Sequence, residues 1–146
     1  PATVYASDFL GKANLLSGTL VVEHDRWYIA DEGFRIPINH TGGAEGDLVR
    51  AAVRGEYFEF CKPEDEGANG FHLDRKIFTG QTWKLIGWLG QQPLNISALG
   101  ISAERLPDGA SAFVRIHPEN VVYYTAKDPA VTLKRPMTDQ AGEVVT

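Results

Sequence analysis

The stretch GTLVVEHDRWYIADEGFRIPIN, residues 18–39, has the pattern of three β-strands separated by two tight turns. In its last part apolar residues alternate with other residues, the apolar set being Phe34, Ile36 and Ile38. A period of two predicts a strand with one buried face. Gly33 supplies the turn before this strand, because glycine adopts positive φ at little cost. Pro37 cannot donate a ladder hydrogen bond, so we expect its strand to lie at a sheet edge.

Further strand patterns follow along the chain. Residues 47–61 alternate, but the buried parity changes after Gly55, and a glycine inside a strand pattern indicates a β-bulge. Residues 93–105 fit either helical or strand spacing. The other predicted strands lie at 71–78, 81–90, 111–117 and 120–125. No internal repeat is evident in the sequence.

These segments predict an all-β fold of about eight strands with one or two short helices. Frequent turns and a strongly bent strand favour a small barrel or a rolled antiparallel sheet, OB-like in its first half. We expect a single β-barrel-like domain over residues 1–125 and an extended C-terminal tail over residues 126–146.

Composition indicates an ordinary globular protein, with 43% apolar and 23% charged residues in 146. The single cysteine, Cys61, excludes an intrachain disulfide and favours a reducing, cytoplasmic location. The N-terminus has no signal-peptide pattern, and no apolar run approaches the roughly 20 residues that span a bilayer. We therefore expect no association with a membrane.

The net charge of −5 is unevenly distributed. Residues 1–75 carry 7 Lys and Arg against 13 Asp and Glu, whereas residues 76–146 carry 7 against 6. An acidic chain is repelled by phosphate backbones, and this disfavours non-specific binding to nucleic acid.

Titratable side chains offer few catalytic candidates. His72 and Asp74 share a predicted strand face, and this spacing suits an imidazole–carboxylate pair or two metal ligands. A metal site needs three or four ligands, and no second cluster is visible, so we expect neither a metal nor a cofactor. Cys61 lies in no nucleophile motif and is more typical of a structural thiol.

Arginine and aromatic residues on predicted strands form the most informative set. These candidate binding residues are Trp27, Tyr28, Arg35, Arg50, Arg54, Tyr57 and Trp88. Arginine, tyrosine and tryptophan are the usual anchors of protein interfaces, and the same chemistry holds single-stranded nucleic acid. An ordinary sheet face with cross-strand Arg–Glu pairs would use the same residue types.

The main hypothesis is a non-catalytic binding module that recognises a protein or a small polar ligand through this Arg/aromatic strand face. One alternative is a single-stranded nucleic-acid-binding domain. The other is a small β-barrel enzyme that uses His72 and Asp74. The predicted tail and edge strands also offer surfaces for a homodimer. Substitution of Arg50 or Arg54 by glutamate tests the binding hypothesis, and His72→Ala tests the enzyme hypothesis.

Overall fold

The computed structural model describes residues 13–125, which form ten β-strands, one short α-helix and two 3₁₀ turns. The strands are β1 (Asn14–Glu23), β2 (Arg26–Asp31), β3 (Phe34–Ile38), β4 (Leu48–Val53), β5 (Glu59–Cys61), β6 (Asn69–Phe78), β7 (Trp83–Leu89), β8 (Gln92–Ala98), β9 (Ser111–Arg115) and β10 (Val121–Thr125). The helix α1 is Ile101–Arg105, and the 3₁₀ turns are Gly55–Tyr57 and Pro118–Asn120. The all-β fold class is confirmed. The tail predicted at 126–146 lies outside the described residues.

The opening stretch forms the antiparallel meander β1–β2–β3, as its alternation predicts. His24 and Asp25 connect β1 to β2 with φ values of 54° and 64°, the conformation that matches a two-residue hairpin loop to the twist of its strands. Gly33 turns the chain into β3 with φ of 93°. Strand β3 lies at the edge of its sheet, so the position expected from Pro37 is confirmed.

The strands form two five-stranded antiparallel sheets with the same internal order. The first is β10-β4-β1-β2-β3, and the second is β5-β9-β6-β7-β8. Units β1–β4 and β6–β9 are therefore structural repeats, and each is completed by the strand that follows the other unit in the chain. The first sheet corresponds to the OB-like half-barrel expected in the first half of the chain, but its fifth strand, β10, comes from the second half.

The sequence analysis finds no internal repeat, and the structure corrects this. Asn14 pairs with Val53 in the first sheet, and Asn69 pairs with Val114 at the matching place in the second. Two short signals mark the repeat: Ala-Asn at 13–14 and 68–69, and Ala-x-Val-Arg at 51–54 and 112–115. They are too short to stand out from chance without the structure.

The bulge predicted at Gly55 is wrong. Strand β4 ends at Val53, and the chain passes through a 3₁₀ turn into the other sheet as β5. A Cβ on Gly55 would lie 2.3 Å from the carbonyl oxygen of Asn95, so glycine allows this turn to lie directly on β8. The register shift that marks a bulge lies in β6 instead, between Leu73 and Arg75.

The ambiguous segment 93–105 contains both structures that its spacing allows. Strand β8 continues to Ala98, and helix α1 begins at Ile101. Strand β8 and the three-residue strand β5 are the two strands beyond the eight expected, so residues 13–125 contain ten.

One apolar core joins the two sheets. Its fully buried side chains include Leu16, Leu20, Ile29, Ile36, Phe71, Leu73, Leu85 and Leu94. Each such side chain stabilises the fold by about 1.5–3 kcal/mol relative to exposure. The core therefore fixes the edge of the first sheet against the second, and this junction holds the candidate site.

Candidate functional site

A groove of about 900 Å³ lies where β2 and β3 of the first sheet meet elements of the second sheet. Its other walls are the loop before β6 and the residues that follow β9. The side chains that give it its chemistry are Trp27, Tyr28, Arg35, His40, Arg115 and His117. The groove thus combines aromatic rings with cationic and imidazole groups.

Trp27 and His40 stack face to face at one side of the groove. Their ring centroids are 3.7 Å apart and their planes differ by 3°. Trp27 is half-buried and packs against the core from β2, whereas His40 is exposed in the loop after β3. The Nε2 atom of His40 lies 2.7 Å from the carbonyl oxygen of Gly43.

The buried Tyr123 of β10 fixes the backbone of this loop. Its hydroxyl accepts hydrogen bonds from the N–H groups of Thr41 (2.9 Å) and Gly42 (3.1 Å). It also donates to the carbonyl oxygen of Gly42 at 2.7 Å. The exchanged strand β10 therefore orders one wall of the groove.

Arg35 lies over the ring of Tyr28, with its guanidinium carbon 4.5 Å from the ring centroid. The same guanidinium forms an ion pair with Glu23 of the neighbouring hairpin. Asn69 fixes the backbone of Arg35, because its side chain accepts from the Arg35 N–H (2.8 Å) and donates to the Arg35 carbonyl (3.0 Å). Asn69 is buried and also donates to Gly67 at 3.2 Å.

All three arginines that line the groove have carboxylate partners. Arg35 pairs with Glu23, Arg26 pairs with Glu66 at 2.6 Å, and Arg115 pairs with Glu59 at 3.2 Å. The Arg26 and Glu66 side chains are 67% and 82% exposed. Exposed pairs contribute only about 0–1 kcal/mol, so a ligand anion can replace these carboxylates at little cost.

Further polar groups complete the walls. The Nε2 atom of His117 lies 3.4 Å from a carboxylate oxygen of Glu59. Asp25 and Asp65 also line the groove and offer acceptors to donor groups of a ligand. The groove therefore presents both signs of charge.

The structure brings together three of the seven candidate binding residues. Trp27, Tyr28 and Arg35 line the groove. Arg50 lies exposed on β4, which is separated from β3 by β1 and β2. Three strand spacings amount to about 14 Å, too far for Arg35 and Arg50 to contact one small ligand.

The remaining candidates lie elsewhere. Arg54 precedes the first 3₁₀ turn, and Tyr57 is the last residue of that turn. The Nε atom of Arg54 donates a hydrogen bond to the Glu56 carboxylate at 2.8 Å. Desolvation acts to raise the pKa of Glu56, but the Arg54 hydrogen bond and charge together with the Glu56 backbone N–H lower it overall. Trp88 is 44% exposed on β7, opposite His72 in the second sheet.

The catalytic candidates His72 and Asp74 are also outside the groove. Both are exposed, with the buried Leu73 between them, and a register shift follows between Leu73 and Arg75. His72 instead has its Nδ1 atom 3.5 Å from the hydroxyl of Ser111. Within residues 13–125 no group of three or more His, Cys, Asp or Glu side chains could hold a metal ion.

Cys61 has the electrostatics of an unreactive thiol. Burial raises its pKa, and Asp65 adds to this effect, while Arg115 opposes it. A raised pKa keeps the thiol protonated at neutral pH, and the thiolate is the nucleophilic form.

Several groove residues are not among the seven candidate binding residues. His40, Asn69, Arg115 and His117 come from loops or from the second repeat, far from the opening stretch. Asn69 and Arg115 lie in the repeated Ala-Asn and Ala-x-Val-Arg signals, which are too short to identify them from the sequence alone. Nothing local marks His40, because its importance comes from the stack on Trp27.

Comparisons with known proteins inform the fold. No protein-family model matches the chain, and no curated protein matches it. Among solved structures, the chain is similar to the cytoplasmic molybdate-binding protein ModG in its form with molybdate bound. The TM-score is 0.63 at 16% sequence identity, over 75% of this chain and 94% of that chain. At this identity the likeness concerns the fold. In the described part of the chain, no helix is long and apolar enough to cross a membrane.

Proposed function

We propose that this protein is a non-catalytic binding module and that it binds a small polar ligand in the groove lined by Trp27, Tyr28 and Arg35. The groove itself carries the proposal. Its volume of about 900 Å³ falls in the range of small-molecule sites, about 300–1,000 Å³. Such sites combine aromatic surface with a few convergent polar groups, and this groove has both.

The arrangement of charges supports an anionic or zwitterionic ligand. Guanidinium groups bind carboxylate and phosphate groups in bidentate fashion. The carboxylate partners of Arg26 and Arg35 are exposed. These arginines therefore do not have to break a buried ion pair before they bind a ligand.

The structural neighbour gives independent support at a coarser level. ModG is a molybdate-binding protein, and its similarity to this chain covers 75% of the sequence. A fold of this type thus serves small-ligand binding in another protein, although fold alone does not decide the ligand. Molybdate is therefore a rational first probe.

The acidic residues of the groove argue against single-stranded nucleic acid as the ligand. Asp25, Asp65 and Glu66 line the same groove as the arginines, in a chain whose net charge is −5. A nucleic-acid channel needs a continuous cationic path for successive phosphates.

Calorimetric titration tests the proposal. The panel contains molybdate, phosphate, a neutral sugar, adenosine monophosphate and a labelled single-stranded oligonucleotide. We expect binding of at least one small anion and a loss of about tenfold or more in affinity for Arg35→Ala, the value of one charged hydrogen bond. Arg50→Ala is the matched control, because Arg50 is exposed on the same sheet outside the groove. Equal losses in both variants, or no binding by any small ligand, would contradict the proposal.

A further inference from the structure

We propose that the ring of His40 holds the place of a ligand ring on Trp27, so that the ligand is a small anion that carries a planar aromatic ring, of the nucleoside monophosphate type. This inference rests on the proposed function of the groove and names the chemical class of its ligand.

The first argument is the geometry of the stack. The His40 and Trp27 ring centroids are 3.7 Å apart and their planes are 3° from parallel, which is a closer and flatter contact than most aromatic side-chain pairs make. Nucleobases stack face to face on aromatic side chains in this parallel manner. The Trp27 ring is fixed from behind by the core, so it forms a rigid platform. An exposed imidazole covers that platform from the solvent side.

The second argument is that the imidazole can leave without rebuilding the loop. Tyr123 fixes the backbone of Thr41 and Gly42 through three hydrogen bonds of its hydroxyl. Displacing the His40 ring therefore needs only a change of side-chain rotamer and the loss of its contact with Gly43. Exposed side chains change rotamer on picosecond to nanosecond timescales, so the cover is mobile enough to act as a gate.

The third argument is the chemistry around the platform. Arg26 and Arg35 offer guanidinium groups to a phosphate or carboxylate of the ligand. Asp25 and Asp65 offer acceptors to ring amino groups or sugar hydroxyls. A bare oxyanion would use only the arginines, and a neutral ring would use only the platform, whereas a nucleoside monophosphate uses both.

The test compares three probes: adenosine monophosphate, ribose phosphate without a ring, and adenosine without the anion. Calorimetry gives the affinities, and tryptophan fluorescence reports contact with the platform. We expect the monophosphate to bind most tightly. We also expect His40→Ala to bind it about three- to tenfold more tightly, because the competing stack is removed. Affinity for ribose phosphate stays unchanged in that variant.

Matched variants separate the possible causes. His72→Ala removes an exposed histidine from the other sheet and should leave all affinities unchanged. Trp27→Leu should abolish the preference for the ring. Its folding is checked by urea titration, and His40→Ala still decides the question if Trp27→Leu is unstable.

The outcomes distinguish the inference from the proposed function. Unchanged or weaker binding of the monophosphate by His40→Ala overturns the inference. Binding of molybdate or ribose phosphate with no preference for the ring also overturns it and leaves the binding function of the groove standing. No binding by any of these probes, or by the other small ligands of the calorimetric panel, overturns both.

Discussion

Asn69 connects the two sheets at the groove, and its removal gives the most direct test of the structural argument. Its buried side chain makes three hydrogen bonds, two of them to the backbone of Arg35 and one to Gly67. Strand β3 is a sheet edge, so the amide of Asn69 supplies partners for backbone groups of Arg35 that no neighbouring strand covers. The Asn69 side chain thus makes the two backbone hydrogen bonds with Arg35 that a neighbouring strand would otherwise make.

The magnitude follows from the number of bonds. A hydrogen bond contributes about 1 kcal/mol net, so Asn69→Ala should lower the free energy of unfolding by about 2–3 kcal/mol. Asn69→Asp keeps the acceptor for the Arg35 N–H but loses both donated bonds and places a buried carboxylate oxygen against the carbonyl oxygens of Arg35 and Gly67, so it should cost at least as much. Both variants should also weaken ligand binding, because Arg35 loses its fixed position.

The repeat supplies a matched control. Asn14 makes the equivalent contacts on the other side, accepting from the Asn95 N–H (2.8 Å) and donating to the Asn95 carbonyl (2.9 Å) and to Val53 (3.2 Å). Asn14→Ala should therefore also lower stability, but it should leave the ligand affinity of the groove unchanged.

Urea unfolding followed by tryptophan fluorescence measures these differences, with an unchanged m-value as the sign of an intact native state. A loss below about 0.5 kcal/mol for Asn69→Ala would refute the argument that its amide covers the edge strand. Equal loss of ligand affinity in the Asn69 and Asn14 variants would refute the claim that the ligand binds at the Asn69 contact between the sheets and not at the Asn14 contact.

Three further predictions follow from contacts described above. Tyr123→Phe removes the hydroxyl that fixes the loop of His40 and should lower stability by about 1–3 kcal/mol in urea unfolding. Gly55→Ala should cost about 1–3 kcal/mol through overpacking, whereas Gly70→Ala, whose Cβ would have its nearest neighbour at 4.0 Å, should change stability by less than about 0.5 kcal/mol; equal effects would contradict the packing argument. The lowered pKa of Glu56 means that its contribution is present above its unfolded pKa and is lost as the pH falls through the folded value. The stability difference between wild type and Glu56→Gln should therefore decline as the pH falls below the ordinary glutamate pKa of about 4.5, and a difference that persists in acid would contradict the ion pair.

The sequence was sufficient to predict most individual strands. It was insufficient to predict that each sheet takes its fifth strand from the other half of the chain. Alternation of Phe34, Ile36 and Ile38 predicted β3, and Pro37 placed it at an edge, because both signals act within one strand. The parity change at Gly55 predicts a bulge wrongly, because local spacing cannot distinguish a bulge from a crossing between sheets. Which sheet receives β5 depends on contacts with β9, more than fifty residues away in the chain.

The candidate site shows the same limit. Trp27, Tyr28 and Arg35 were predicted because they lie on adjacent strands of one hairpin system. Arg115 and His117 reach the same groove only because the second repeat packs against the edge of the first. Arg50 and Arg54 are arginines like Arg35, and both are exposed or half-exposed. The order of strands in the sheet nevertheless places Arg50 and Arg54 away from Arg35.

The exchange of fifth strands has a consequence for the chain as it is synthesised. When residues up to 53 have emerged from a ribosome, β4 has one free edge, and the next strand, β5, belongs to the second sheet. That edge is covered only when β10 arrives, so the first half cannot complete itself before the second half has been made. An uncovered edge invites pairing with other chains. We therefore expect nascent fragments that stop before residue 121 to aggregate, and a break between the two halves to give two pieces that fold only together.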